Sequence, residues 1–361
     1  MAIKKETDIA VIGGGVIGLL TACLLAKNGC SVTIIEQSQV ASESSWAGGG
    51  ILSPLYPWRY SAAVNHLASR SQQLYPGLVD GLRSSTGVDP QFVQCGMLIN
   101  KFDVDDLGYE WLNNNQIDYF NADEMANKNV PFEVEEFLFL PKIAQIRNPR
   151  FAQSLKKWAE QLGVEIFSHW QIDRVAHQSS QFNLESEKGK VISRQLIVCA
   201  GAWSAGLLKQ LGIDLPIKPV RGQMLLYKAT PEFLSSMILS EGHYIIPRLD
   251  GHVLVGSTME DVGFDKQTTS QARELLESFI ERTLPELQKY PVEKHWAGLR
   301  PGSPDGVPFI SSHPSIENLY VNTGHFRNGV VMAPASAELL VDLVLGKKAK
   351  IDASPYSLQC G

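Results

Sequence analysis

The sequence predicts an α/β fold, with a parallel sheet between helices and a second domain. Three observations favour this fold class. Residues 9–12 form an apolar run that leads through three consecutive glycines into a second apolar run, as in a buried strand followed by a buried helix. Residues 31–36 read as a neighbouring strand, and 319–324 again lead from a strand through a glycine into a helix. The 361 residues, 44% of them apolar, suffice for two cores.

The composition excludes several classes of protein. The net charge is -6 and no basic block occurs, so no nucleic-acid partner is expected. The five cysteines are scattered and the eight histidines show no metal-ligand spacing, so we expect no disulfide framework, no metal site and a cytoplasmic location. Residues 9–26 carry no charge, but glycines interrupt the run and a strand follows it, so we expect no transmembrane segment.

Residues 13–18 carry the pattern G-x-G-x-x-G between the first strand and its helix. Gly13 permits the tight turn, Gly15 lets the backbone approach a pyrophosphate, and Gly18 lets the helix pack closely on the strand. Glu36, at the end of the second strand, is suited to accept hydrogen bonds from an adenosine ribose. This combination predicts a Rossmann-type dinucleotide site and does not by itself separate FAD from NAD.

Three further segments favour FAD. The small residues of 44–52 supply N–H and hydroxyl donors to a flat ring or a pyrophosphate, unless they form a flexible loop. Residues 195–204 read as a strand ending beneath a cofactor at Ala200 and Gly201, or as one more core strand. A helix opening at His325 and lasting to about Gly346 can turn its N-terminus to the flavin edge that becomes negative on reduction, or can simply pack on the sheet.

The motifs follow one another in the order of a known family. They are 13–18 with Glu36, 44–50, 199–204, 220–223, 256–259, 263–265, 298–301 and 324–329. Together they resemble the D-amino-acid oxidase family, most closely its glycine oxidase branch. The resemblance implies an FAD-binding domain of residues 1–85, 146–219 and 296–361, and an α+β substrate domain of residues 86–145 and 220–295 that is built on a mixed sheet. It also implies non-covalent FAD, because the segment through which sarcosine oxidase relatives attach the cofactor, here 298–305, contains no cysteine.

The glycine pattern and the resemblance together predict a set of cofactor-binding residues. These are Gly13, Gly14, Gly15, Val16, Gly18, Glu36, Gln37, Ser44, Ser45, Gly48, Gly49, Gly50, Val175, Ala200, Gly201, Trp203, Gly324, His325, Phe326, Arg327, Asn328, Gly329, Val330 and Val331.

The resemblance also implies the residues that meet a small amino acid such as glycine, sarcosine or a small D-amino acid. Arg300 resembles the arginine that clamps the substrate carboxylate through two parallel hydrogen bonds. Tyr244 resembles the tyrosine whose hydroxyl meets the same carboxylate, Arg327 a second arginine near the flavin, and Met259 a residue in contact with substrate. The alternatives are a structural arginine, a core tyrosine and packing residues.

The implied reaction moves a hydride from the substrate Cα to flavin N5, and water converts the resulting imine to an α-keto acid and ammonia. Oxygen then reoxidises the flavin and yields hydrogen peroxide, and no histidine or carboxylate base is expected. The family also implies a homotetramer and a role in thiamine biosynthesis. The alternatives are an FAD-dependent dehydrogenase that passes electrons to a quinone or carrier, a sarcosine or secondary-amine oxidase, an NAD-dependent dehydrogenase, and a non-catalytic FAD-binding subunit.

Residues 55–60 depart from the family pattern, because they are more aromatic and basic than a glycine oxidase leads one to expect. If this segment caps the site, Trp58 and Tyr60 shrink the pocket, or Arg59 admits an additional anion. The alternative is a surface loop with an amphipathic tip.

Overall fold

Residues 3–121 and 136–358 are described by the computed structural model, and their strands form two sheets. The strands are β1 Ile3–Ile12, β2 Val32–Ile35, β3 Met97–Asn100, β4 Phe120–Asn121, β5 Phe137–Leu140, β6 Glu165–Phe167, β7 Arg174–Gln178, β8 Gln181–Ser186, β9 Gly189–Val198, β10 Lys218–Lys228, β11 Met237–Ser240, β12 His243–Pro247, β13 His252–Gly256, β14 Val292–Gly302, β15 Phe309–Ser312 and β16 Leu319–Thr323. The helices are α1 Val16–Lys27, α2 Ser44–Ala47, α3 Ala62–Thr86, α4 Asp106–Asn114, α5 Asn148–Gln161, α6 Ser204–Lys209, α7 Ser270–Thr283 and α8 Gly329–Val344.

The first sheet has the strand order β15-β16-β9-β1-β2-β6, with the β7–β8 hairpin attached to β9. Because β1 runs parallel to β2 and β9, and β9 parallel to β16, the carboxyl ends of these strands meet at one edge. Side chains alternate between the two faces, so Ile9 and Val11 pack under α1, α3, α5 and α8 while Ala10 and Ile12 pack on the opposite side. Open sheets of this kind bind ligands beyond the carboxyl ends of their strands.

The second sheet has the order β14-β10-β13-β12-β11-β3-β5-β4, in which β11 and β3 are parallel and the other neighbours antiparallel. Ile245 and Val255 face α7, whereas Tyr244 and Ile246 belong to the opposite face. The predicted α/β fold with a second mixed sheet is thereby confirmed.

The two sheets meet where α2 docks on β14. Gly298 makes this approach possible, because a Cβ at that position would lie 2.5 Å from the Cβ of Ala47. The indole N–H of Trp296 donates to the carbonyl of Ala47 at 3.2 Å. Strand β14 pairs with β10 as far as Gly302, so the domain boundary expected at 296 falls inside a continuous strand of the second sheet. Arg300 therefore stands on the second sheet rather than on the first.

Two elements end or begin at other residues than the sequence indicates. Phe326 has a φ of 46°, so residues 326–328 form a 3-10 turn and α8 begins only at Gly329 and ends at Val344. Strand β9 ends at Val198, before Ala200, and a turn follows in which Gly201 has a φ of 53°. In both places a left-handed residue interrupts the regular backbone at the edge of the sheet.

Within the two described ranges, no helix is long and apolar enough to cross a membrane. The same ranges contain no cluster of three or more histidine, cysteine, aspartate or glutamate side chains arranged to hold a metal ion. Cys23, Cys30, Cys95 and Cys199 are free.

Candidate active site

A cavity of ≈ 360 Å³ lies between the carboxyl edge of the first sheet and the second sheet. Most of the predicted site residues line it. These are Gly13, Gly15, Val16, Glu36, Gln37, Ser44, Ser45, Gly48, Gly49, Gly50, Ala200, Gly201, Trp203, Tyr244, Arg300, His325, Phe326, Arg327, Asn328, Gly329, Val330 and Val331. The structure therefore brings together segments that lie far apart in the chain.

The turn between β1 and α1 depends on its glycines. Gly13 has a φ of 108°, and a Cβ there would lie 2.4 Å from the carbonyl oxygen of Cys199. A Cβ at Gly18 would lie 1.9 Å from the carbonyl oxygen of Gly13, so only glycine allows α1 to pack this close to the turn. The N-terminus of α1, beginning at Val16, consequently opens into the cavity, where its dipole favours an anion.

Side chains complete this phosphate-binding end. Oε2 of Glu36 accepts a hydrogen bond from the N–H of Gly14 at 2.8 Å, and Oε1 accepts from the N–H of Ser38 at 2.9 Å. The hydroxyl of Ser45 accepts from the N–H of Val16 at 2.9 Å, which ties the loop after β2 to the helix N-terminus. The carboxylate of Glu36 still lines the cavity, as a group that binds a ribose must.

A second helix N-terminus, that of α8, reaches the cavity through Gly329, Val330 and Val331. Three polar atoms of buried residues that line the cavity, Nε1 of Trp170, Oδ1 of Asn322 and Nδ2 of Asn328, have no hydrogen-bond partner among the described residues. Because buried polar groups normally have hydrogen-bond partners, these atoms indicate a ligand that carries hydrogen-bond donors and acceptors along its length. The N-termini of α1 and α8, the carboxylate of Glu36 and these three atoms fit FAD.

His325 lies at the start of this second turn and is 2% exposed. Its Nε2 is hydrogen-bonded to the hydroxyl of Ser336 at 3.1 Å. Burial lowers the pKa of His325 to about 3, so the ring is neutral at physiological pH.

We expect His325 to make the fold sensitive to acid. Its pKa in the unfolded chain is about 6.5, so between that pH and about pH 3 the unfolded state binds more protons and the free energy of unfolding falls as pH falls. Between about pH 7.5 and about pH 5 this group alone removes about 2 kcal/mol. Urea unfolding with saturating FAD at both pH values measures the effect. H325Q should lose about 2 kcal/mol less than the parent protein over this interval, and an equal loss would contradict the assignment.

Arg300 lies against the bare backbone of Gly222, where a Cβ would be 2.1 Å from its Nη2. Its Nη1 donates to the carbonyls of Thr258 at 3.1 Å and Arg221 at 3.4 Å, and its Nη2 donates to the hydroxyl of Ser257 at 2.7 Å. Burial lowers the pKa of Arg300. No carboxylate of the described residues forms an ion pair with it, so this end of the cavity is complementary to an anion.

Arg327 and Tyr244 lie at the same end. Nη2 of Arg327 donates to the carbonyl of Gly242 at 3.3 Å, and the charge of Arg327 also lowers the pKa of Arg300. The Tyr244 ring packs over Gly49, where a Cβ would be 2.9 Å from the ring. Two cations and a phenol thus face the cavity beside the small-residue loop.

The acids that line the cavity in the described part of the chain have other partners. Glu36 binds backbone N–H groups of the first turn, and Glu43 forms an ion pair with Lys266 at 2.9 Å. Lys266 belongs to the segment after β13, so this ion pair also connects the two halves of the molecule. The positive charge near Arg300 is left without a neutralising side chain.

Five predicted site residues do not line the cavity. Gly14 and Gly18 act within the first turn, and Gly324, with a φ of 81°, connects β16 to the turn before α8. Met259 follows β13 and is 61% exposed. The bridge between residues 221 and 260 holds this segment beside β10, where the carbonyl of Thr258 accepts a hydrogen bond from Arg300, but Met259 itself does not line the cavity.

Val175 is also displaced from the position that the resemblance implies. It lies inside β7, its side chain packs in the core of the first sheet, and its N–H donates to Oε1 of Gln210 at 2.9 Å. The chain passes the cavity earlier, at Trp170, Gln171 and Ile172, before β7 begins. The short irregular connection between β6 and β7 gives no motif from which this position could be read.

Sequence reasoning did not select several other lining residues. They include Gly222, Met224, Ser257, Gly298, Asn322 and Thr323. A signal existed for the two glycines, because glycine inside a strand often marks a close approach of another group. No comparable signal marked the remaining residues.

The segment 55–60 does not bring Arg59 to the site. Nη2 of Arg59 donates to the carbonyl of Asp103 at 2.9 Å, and its guanidinium lies 4.2 Å from the ring centroid of Tyr56. Trp58 packs on Gly108 of α4. The expectation that Arg59 admits an additional anion is therefore not supported by the position of its side chain.

Arg59→Ala should leave substrate preference unchanged. Its charge is exposed and engaged outside the cavity, so the ratio of kcat/KM for a monocarboxylic to a dicarboxylic amino acid should stay within about twofold of the parent value. Steady-state rates with glycine and an acidic analogue measure this ratio. A selective loss of kcat/KM for the dicarboxylic amino acid would mean that Arg59 contributes to substrate binding.

A Rossmann-type cavity that fits FAD, with two arginines at its far end that have no carboxylate partner in the described part of the chain, defines an FAD-dependent oxidoreductase. A family model described as FAD dependent oxidoreductase, DAO, matches residues 8–343. The chain belongs to this DAO family, and it is an FAD-binding enzyme of the glycine oxidase and D-amino-acid oxidase type.

Individual relatives agree over nearly the whole length. Glycine oxidase of Pseudomonas putida is 44% identical over 356 residues, covering 97% of this chain and 98% of that protein. The crystal structure of glycine oxidase from Geobacillus kaustophilus is similar with a TM-score of 0.93 and 26% identity, covering 98% of this chain and 99% of that one. The bifunctional protein ThiO/ThiG of Trichormus variabilis is 31% identical over 95% of this chain and 53% of its own length.

Proposed function

We propose that this enzyme oxidises the C–N bond of a small amino acid of the glycine, sarcosine or small D-amino-acid class, with non-covalently held FAD. The observation that carries the proposal is Arg300, a half-buried guanidinium that has neutral protein partners and no carboxylate partner in the described residues. The names of the relatives, glycine oxidase in Pseudomonas putida and Geobacillus kaustophilus, support the same substrate class.

The hydrogen bonds of Arg300 determine which of its donors remain for substrate. An arginine side chain has five N–H groups. The carbonyls of Thr258 and Arg221 take both N–H groups of Nη1, and Ser257 takes one of Nη2. The Nε–H and one N–H of Nη2 remain beside the Tyr244 hydroxyl, which also interacts with the guanidinium, and a carboxylate that displaces this hydroxyl would accept two charge-assisted hydrogen bonds.

FAD, which the glycine turn 13–18, the loop 44–50 and the N-terminus of α8 would hold, would supply the redox chemistry as the acceptor of a hydride from the substrate Cα. The protein residues bind and orient the substrate for this step, because holding the reacting atoms in one geometry contributes several kcal/mol. Arg300 anchors the carboxylate, and Tyr244 and Arg327 border the same space. The product imine is hydrolysed by water to an α-keto acid and ammonia.

No general base is assigned. Among the described residues that line the cavity, Glu36 and Glu43 have partners elsewhere, and His325 is neutral and hydrogen-bonded to Ser336. The substrate therefore enters with a neutral amine, and the activity rises with pH as more of the amine is deprotonated. Oxygen as the final acceptor, a role in thiamine biosynthesis and a homotetrameric assembly stay predictions.

Anaerobic mixing of the FAD-loaded enzyme with a panel of small amino acids tests the proposal. We expect glycine, sarcosine or D-alanine to bleach the oxidised flavin absorbance, and the corresponding amines without a carboxylate to leave it unchanged. Admission of oxygen or of a quinone then identifies the acceptor, since an oxidase releases hydrogen peroxide and a dehydrogenase requires the quinone. If dithionite bleaches the flavin and no member of the panel does, the substrate class is wrong.

A further inference from the structure

Arg248, which directly follows β12, is a half-buried cation whose role the reaction does not explain. Its Nη2 donates to the carbonyl of Gly49 at 2.7 Å, and its Nη1 donates to Oε1 of Gln145 at 2.5 Å and to the carbonyl of Ile146 at 3.2 Å. All three acceptors are neutral. Within the described ranges, Arg248 forms no ion pair with a carboxylate.

The charge of Arg248 persists at neutral pH. Burial and the neighbouring charge of Arg147 lower the pKa of Arg248 to about 10, which leaves it protonated. Arg147 has its own carboxylate, because its Nη1 lies 2.6 Å from Oδ2 of Asp250. The cation directly behind the small-residue loop is therefore Arg248, and its nearest contact in that loop is the Gly49 carbonyl.

The orientation of the peptide group between Gly49 and Gly50 determines where the backbone N–H of Gly50 points. Gly49 and Gly50 line the FAD cavity, whereas Arg248 does not border that cavity and lines a separate one with Gln145 and Arg147. The bond between Gly49 and Gly50 is trans, so its C=O and N–H point in opposite directions. Since the carbonyl points to Arg248, the N–H of Gly50 points to the side of the FAD cavity, and it finds no acceptor among the residues that the structure describes.

We propose that Arg248 is a positioning residue of the FAD site. It holds the Gly49 carbonyl away from the cavity and thereby presents the Gly50 N–H to the cofactor. Its charge lies behind this N–H donor, at the carbonyl side of the peptide group, and the charge and the donor both favour the reduced cofactor, which carries more negative charge than the oxidised form. The inference concerns the family's cofactor and does not depend on the amino acid that the enzyme oxidises.

Three variants separate charge from hydrogen bonding. R248Q keeps amide donors and loses the charge, R248K keeps the charge with a different donor geometry, and R150Q is the control. Arg150 donates to the carbonyl of Asp89 at 2.7 Å, and the hydrogen bonds of the described residues include none from Arg150 to the loop 44–50. The midpoint potential of bound FAD is measured by equilibration with a reference dye and dithionite, and FAD affinity by titration of the apoprotein.

We expect R248Q to bind reduced FAD about tenfold more weakly relative to oxidised FAD, which corresponds to a midpoint potential lower by about 30 mV. R248K should keep the parent potential while binding FAD severalfold more weakly, and R150Q should keep both values. A potential that R248Q leaves unchanged, with only a lower melting temperature, would assign Arg248 a purely structural role and overturn the proposal.

Hydrogen exchange on the unmodified protein provides a second readout that does not depend on the folding of a variant. The backbone amide of Gly50 should exchange at least about tenfold more slowly with FAD bound than in the apoprotein, because the cofactor then accepts its hydrogen bond. Gly77, exposed on α3, provides the comparison, and its exchange should be the same in both states. Equal exchange of Gly50 in both states would contradict the proposed direction of the N–H.

Discussion

Replacing Arg300 with methionine is expected to lower kcat/KM for the amino acid substrate by about 10³-fold while FAD stays bound. The variant loses two charge-assisted hydrogen bonds to the carboxylate, worth together about 4 kcal/mol. The loss should divide between a higher KM, from weaker binding, and a lower kcat, because an unanchored substrate no longer holds its Cα in a reactive position. Steady-state kinetics with the flavin content of each preparation measure both.

Controls for this prediction come from the partners of Arg300. R300K keeps a positive charge without the paired donors and should recover only part of the activity. S257A removes the hydroxyl that holds Nη2 and should raise KM about fivefold with a smaller effect on kcat, since one neutral hydrogen bond is worth about 1 kcal/mol. An amine without a carboxylate should react equally slowly with the parent enzyme and R300M. If R300M keeps the parent KM for the amino acid, Arg300 does not bind the carboxylate.

Gly15→Ala is expected to weaken FAD binding by about 100-fold, a loss of about 3 kcal/mol. The backbone of Gly15 has a φ of -74°, which alanine adopts without strain, and the nearest atom to an added Cβ is the mobile hydroxyl of Ser45 at 2.9 Å. The apoprotein should therefore fold. The methyl group would occupy the space where the backbone must approach the pyrophosphate, so the cost appears in cofactor affinity. Titration of the apoprotein with FAD measures it.

Gly77→Ala is the matched control for this substitution. Gly77 is exposed in α3, and a Cβ there meets nothing within 4 Å. This variant should bind FAD as the parent does and gain up to about 1 kcal/mol in the free energy of unfolding, because alanine favours a helix. A G15A protein that binds FAD with parent affinity would mean that the pyrophosphate does not approach this turn.

The cofactor half of the site could be predicted from the sequence because its chemistry uses local backbone geometry. Gly13, Gly15 and Gly18 each meet a steric requirement within one strand–turn–helix unit, and Glu36 lies at the end of the next strand. Such a unit consists of consecutive residues, so its sequence pattern predicts both the local strand–turn–helix structure and the position of the phosphates. The second mixed sheet was predicted from the family resemblance rather than from this pattern.

The remaining contacts could not be predicted, because they depend on how distant segments meet. Ser257 follows β13, and it binds Arg300 on β14 only because these two strands flank β10. Val175 packs in the core of the first sheet and Met259 is 61% exposed, so neither side chain lines the cavity. Strand ends and irregular connections have weak sequence signals, whereas the glycine turn is a pattern of consecutive residues, and the cofactor and substrate contacts of all these residues stay predictions.

The docking of α2 on β14 has a consequence for how this enzyme can fail. The phosphate-binding turn belongs to one sheet and the carboxylate-binding arginine to the other, and Gly298 at the joint allows the two to approach closely. A bulky residue at this joint would leave each half-site chemically intact but displaced from its counterpart. Such a protein would be yellow, would titrate normally with its cofactor and with a carboxylate inhibitor, and would turn over very slowly. A screen that measures only flavin content or ligand binding would therefore not detect this defect.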